Sequence, residues 1–197
     1  MDNKDQDLPL YQTQIQTYVG FTSFMTAVVV FFTGLLLTKF ESFNISIKIP
    51  IAFLIISIFG FLYSTLIYAN AAEEVSQKRV AKFKRHLLLG DCLSEYLGIY
   101  FLIFSIPLVI NVVTTDQFLR IIAFASSMIG LAIYQFSHFS VMERHFKKRN
   151  TSIGITILIF GLVLFLTHIY NFYFVFVSTI FIIFLISVAY LSTRQKY

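Results

Sequence analysis

The stretch IGITILIFGLVLFL, residues 153–166, decides what kind of chain this is. It carries no charge, and its apolar residues do not alternate with polar ones, so it suits neither a half-buried strand nor the wall of a membrane barrel. In lipid a backbone must satisfy its own N–H and C=O groups, which only helices and closed barrels do. The stretch therefore reads as a membrane-spanning helix.

Working outward, five more stretches share this character: 17–38, 49–72, 93–113, 118–138 and 172–193. Most approach the ~20 residues that a helix rising ~1.5 Å per residue needs to cross ~30 Å of hydrocarbon. The fifth span in chain order, 153–168, is the shortest. With 57% of residues hydrophobic and 13% charged, a chain of 197 residues cannot cover a soluble globule with polar surface. Its mean hydropathy of +0.79 agrees. The expected fold is all-α: one polytopic transmembrane helical bundle over residues 1–197, six spans folded as three antiparallel hairpins. The short connections 39–48, 114–117 and 169–171 favour those hairpins.

Charge sets the expected orientation. Of 15 Lys and Arg residues, Lys4, Lys78, Arg79, Lys82, Lys84, Arg85, Arg144, Lys147, Lys148, Arg149, Arg194 and Lys196 would share one side, leaving Lys39, Lys48 and Arg120 on the other. Basic residues in short loops resist translocation, so the chain is expected N-in and C-in. Residues 1–16 form a polar cytoplasmic N-terminus without a basic n-region, so the first apolar run is expected to remain as a helix. The net charge of +5 is accounted for by orientation, and no nucleic-acid-binding fold accompanies it.

The one sizeable connection, 73–90, is basic and cytoplasmic on this reading. Val80, Phe83 and Leu87 recur there at helical spacing beside Lys78, Arg79, Lys82, Lys84 and Arg85. An amphipathic helix on anionic headgroups, a cytosolic extension of the second span and a solvated basic loop all fit. Gly90-Asp91 reads as a stop followed by an N-cap for the third span. Pro50 suits the first turn of the second helix, and Asp116, Asn150 or Thr151, and Asn171 suit caps of the last three. Pro107, inside the third span, is either a hinge or a bend that packing accommodates. A faint repeat at an offset of 70 pairs Gly20 with Gly90, Gly60 with Gly130 and Glu73 with Glu143. It is either a parallel duplication or chance matching of apolar sequence.

Chemistry-bearing residues are sparse. None of the carboxylates sits near the centre of an expected span, which counts against proton-coupled transporters with a midplane acid. In-span hydroxyls such as Thr22, Thr33, Ser57, Ser64 and Ser178 either bond to helix backbone or line a pore. One constellation stands out. If the third and fourth spans form a hairpin about Thr115, Glu95 comes level with residues 135–138, and Asp91 lies one turn away on the same face. Asp91, Glu95 and His138 are the candidate metal ligands, with Glu73, Glu74, Glu143 and His145 completing a polar cluster at the cytoplasmic mouth. Such a set can hold a divalent cation or relay protons. The competing reading makes Asp91 a cap and Glu95 a partner of His138 or Arg144.

His168, beside Tyr170, reads as interfacial. The single Cys92 permits no intrachain disulfide, and no spacing suits haem or iron–sulfur. With 24 Phe and no Trp, Tyr must form the interfacial belt, for which Tyr18, Tyr68, Tyr96, Tyr170, Tyr173 and Tyr190 are placed. Phe172, Phe174, Phe176, Phe181 and Phe184 face lipid or another subunit. The expected surroundings are a lipid bilayer and copies of the chain or other membrane subunits. The Phe, Ile, Lys and Asn bias points to the plasma membrane of a prokaryote. Three functions remain: an oligomeric channel or permeation pore for ions or small solutes, which is favoured; a non-catalytic accessory or regulatory subunit of a larger membrane complex; and, weakest, a metal-dependent membrane enzyme.

Overall fold

The computed structural model describes residues 8–43, 47–77, 79–136, 141 and 151–194. Among them six helices are long and apolar enough to cross a membrane. They are α1 (Leu8–Thr38), α2 (Lys48–Ser76), α3 (Val80–Val113), α4 (Gln117–Phe136), α5 (Thr151–Ile169) and α6 (Phe174–Arg194). The all-α, six-helix expectation holds. Lys78, His138, Glu143, Arg144, His145 and Asn150 lie outside the described residues.

α1 begins well before the expected start, with Pro9 in its first turn where the missing N–H leaves no bond unmade. Residues 8–16 of the supposed polar tail are therefore helical. Ile15 within them is 1% exposed and packs in a cluster with Phe83, Ala71 and Val75.

α3 departs most from expectation. It runs unbroken from Val80 to Val113, widening to a π-helix over Leu93–Ile99. Gly90 is thus no helix stop, and Asp91 is no N-cap. Gly90 is small because a Cβ there would lie 2.5 Å from the Tyr68 ring. The Asp91 carboxylate instead accepts a hydrogen bond from the Tyr68 hydroxyl. The described part of the connection is the end of α2 and the start of α3, with the Arg79 N–H donating to the Glu74 carbonyl at 2.9 Å. Phe83 and Leu87 are buried against α1 and α2, so of the three readings the helix laid on headgroups by this stripe does not hold: the stripe is covered by protein. Lys82, Lys84 and Arg85 occupy the exposed face. Together with Arg79 and Arg194 they mark the basic end of the bundle.

Successive helices pack on one another, but α3 also touches α5, α6 and, through the Phe83 and Tyr11 rings 4.9 Å apart, α1. It is the hub. The most apolar stretch of α3 is 56% buried, against 11% for that of α4, which lies at the periphery. Between α2 and α3 the backbones nearly touch: a Cβ on Gly60 would sit 2.5 Å from the Gly98 nitrogen. Ser57 donates to the Gly98 carbonyl at 2.8 Å and Ser64 to the Gly90 carbonyl at 2.9 Å. Small residues at helical spacing allow this approach where lipid offers no hydrophobic drive for association.

Behind this seam Phe53, Phe101, Phe104 and Phe160 surround the fully buried Phe181, with ring centroids 5.0–6.1 Å from it. Phe174 is buried as well, so only Phe172 and Phe176, each 64% exposed, face outward as read from sequence. Pro50 lies in the first turn of α2, and Asp116 caps α4 through its Oδ1, 3.0 Å from the Leu119 N–H. Asn171 does not cap α6. At φ 49° it ends α5, with the Phe172 N–H reaching back to the Thr167 carbonyl at 3.1 Å. Asn tolerates that left-handed position because its side chain is short and polar. α3 continues through a buried Pro107. The proposed repeat finds no support at its glycines: Gly60 and Gly90 are tightly packed, whereas Gly130 and Gly20 face open space.

Gly60→Ala should lower stability by about 1–3 kcal/mol, because backbone atoms cannot give way cheaply. Gly130→Ala should leave stability equal or raise it by up to about 1 kcal/mol through helix propensity. Unfolding titrations in mixed micelles measure both, and equal stability of Gly60→Ala and the natural chain would dismiss the seam.

Candidate functional site

The π-turn of α3 carries the site. It adds a residue to the turn and so shifts which side chains share a face, a distortion that recurs at functional positions. Within it Glu95 is 1% exposed, and one turn earlier Asp91 is 2% exposed. A carboxylate held that deep in a bundle requires donors. Tyr100, on the next turn, donates to Glu95 Oε1 at 2.7 Å. Tyr134 on α4 donates to Oε2 at 3.0 Å, and the Val141 N–H reaches the same oxygen at 2.6 Å. The Tyr100 hydroxyl in turn accepts from the Gln135 amide. Tyr96 Oη is buried without a well-formed hydrogen bond among the described residues, and the Ser192 hydroxyl of α6 lies within electrostatic reach.

The hairpin register read from sequence places these groups well. Glu95 was expected level with residues 135–138 and meets Tyr134 and Val141, on either side of that range. Beside the carboxylates lies a cavity of about 180 Å³, walled by Asp91, Ser94 and Glu95 of α3, Tyr18 and Phe21 of α1, Tyr68 of α2 and Tyr134 of α4. Its rim includes Phe21, 47% exposed, so it opens on the side of the bundle.

Other expected members stand elsewhere. Glu73 is exposed and accepts from the Gln77 amide at 2.9 Å, while Glu74 lies 3.6 Å from Arg79; neither lines the cavity. No three His, Cys, Asp or Glu side chains converge to hold a metal among the described residues, and His138 lies outside them. Asp91 and Glu95 would supply carboxylate oxygens to any cation in the cavity. Tyr68 and Tyr96, assigned from sequence to the interfacial belt, are buried at 2% and 1% exposure and serve the interior instead. Tyr170, Tyr173 and Tyr190 remain outward, at 52–77% exposed. His168 is likewise buried, with Nδ1 2.8 Å from the Asn111 amide and its ring 4.3 Å from that of Phe174. Most in-span hydroxyls bond to their own helix: Thr22 to Tyr18, Thr33 to Val29 and Ser178 to Phe174.

Sequence reasoning missed Tyr100 and Tyr134 altogether. The available signal was the tyrosine spacing 96–100 beside Glu95, together with a tyrosine at the matching depth of α4. Compared with known protein families, with curated proteins and with solved structures, the chain matches none.

Glu95→Ala should destabilise the protein by about 3 kcal/mol, since it removes the acceptor shared by the Tyr100, Tyr134 and Val141 donors. Tyr134→Phe removes one of these bonds and should cost about 1 kcal/mol. The same micellar unfolding titration checks both, and a Glu95→Ala protein as stable as its parent would mean that these bonds are not made.

Proposed function

We propose that this protein is a small channel for cations in the plasma membrane of a prokaryote, with the Asp91–Glu95 cavity as its mouth. The observation that carries this reading is a pair of carboxylates, each at most 2% exposed, lining one cavity at the basic end of the bundle. Ionisable groups inside apolar spans are costly and usually mark an ion path. The charge asymmetry supports N-in and C-in, which puts the mouth on the cytoplasmic side; labelling of single cysteines placed at either tail checks that orientation.

Hydroxyls bonded to their own helices make poor pore linings, so the carboxylate cavity replaces the Ser and Thr stripe as the selective element. The rings around Phe181 fill the middle of the bundle. A path from the cavity therefore runs along the side formed by α1 and α4, where a second copy would supply the missing wall. That same filled middle supports the second reading, an accessory subunit that conducts nothing by itself. A divalent metal enzyme needs ligands beyond Asp91 and Glu95; His138 is the residue whose removal tests it, by metal analysis.

Potassium flux into liposomes holding the purified protein decides between the first two. The channel reading expects flux that falls about tenfold or more in Glu95→Gln, equivalent to about 1.4 kcal/mol on the barrier. A folded protein that passes nothing overturns it in favour of the accessory subunit.

A further inference from the structure

We propose that the cavity beside Asp91 and Glu95 takes a small organic ammonium ion rather than a divalent metal ion. This rests on reading the cavity as a cation site. Three observations carry it. The first is size: at about 180 Å³ the space is far larger than a dehydrated metal ion, and larger than the ~30 Å³ share of a single water. The second is the wall. Tyr18, Phe21, Tyr68 and Tyr134 put aromatic surface around the carboxylates, with the Tyr18 and Tyr68 rings 5.2 Å apart and tilted into a corner. Aromatic surface attracts alkylated cations, whose charge is spread over C–H groups, and offers little to a hard metal ion that demands oxygen ligands. The third is the state of the carboxylates. Both Glu95 oxygens already accept hydrogen bonds from Tyr100, Tyr134 and Val141, and Asp91 accepts from Tyr68. A divalent metal ion would compete with those donors for the carboxylate lone pairs. An ammonium ion needs only the negative field of carboxylates left in place.

The rim at Phe21 makes the cavity reachable from the side of the bundle, so the ammonium group can belong to a dissolved amine or to a lipid headgroup. Only Tyr18, Tyr68 and Tyr134 of the 11 tyrosines line the cavity, so binding is read by isothermal titration calorimetry and not by bulk tyrosine emission. The test titrates tetramethylammonium against the full chain in nanodiscs of phosphatidylglycerol, which carries no ammonium group. The expected result is saturable binding, unaffected by magnesium or calcium and weakened about tenfold or more by Phe21→Ala and by Asp91→Asn. Phe21 is exposed and Asp91→Asn keeps the side-chain shape, so both variants should fold, and far-UV circular dichroism verifies it. Weaker apparent binding in phosphatidylethanolamine nanodiscs identifies a headgroup amine as the occupant; unchanged binding identifies a dissolved one. Displacement by magnesium or calcium, equal binding by folded variants, or no binding overturns the proposal. Potassium flux dependent on Glu95 without ammonium binding removes this ligand and leaves the channel standing. Ammonium binding without flux does the reverse.

Discussion

The contact on which the rest depends is the backbone approach of α2 and α3. Gly60 faces the Gly98 amide across a gap too small for a methyl group, and Ser57 and Ser64 donate directly into carbonyls of α3. In lipid, apolar side chains gain nothing by leaving one apolar solvent for another, so close packing and interhelical hydrogen bonds must hold helices together. This seam supplies both. It also fixes where the π-turn lies, because the Gly98 carbonyl that receives Ser57 belongs to that turn.

From the seam the placement of the carboxylates follows. Asp91 faces Tyr68 of α2, and Glu95 is turned towards α4, where Tyr134 and the Val141 N–H meet it. One helix thereby joins the second and fourth through buried charge. The polar network gathers at the basic end, whereas the middle of the bundle is filled by rings around Phe181. At the opposite end a separate polar group forms, in which Arg120 donates to the Asn111 and Thr114 carbonyls and His168 meets the Asn111 amide. Polar layers thus lie at both ends, with an aromatic plug between them.

The membrane-helical class was legible because it depends only on length, composition and the absence of alternation, none of which needs tertiary context. That Glu95 lies near the end of the fourth span was legible too, since hairpin arithmetic fixes which residues share a depth. The error lay in Gly90-Asp91. As a pair it looks like a stop and a cap, but Gly90 is there for the Tyr68 ring and Asp91 for the Tyr68 hydroxyl. A glycine that ends a helix and one that admits a neighbour are identical in sequence. Tyr68 and Tyr96 misled for a related reason, as an amphipathic ring near a span end suits the interface or the interior equally well. Asn171 shows the same ambiguity at a four-residue turn, closing one helix where it was expected to open the next.

The central claim is that Glu95 is a buried carboxylate held by tyrosine hydroxyls from two turns of structure distant in sequence. Solid-state NMR of the chain in bilayers, with labelled Glu and Tyr, measures this directly. The account predicts short-range cross-peaks from the Glu95 carboxyl carbon to the ring Cζ of both Tyr100 and Tyr134, lost in Glu95→Gln. A Glu95 carboxyl that correlates with water and with neither ring would contradict it.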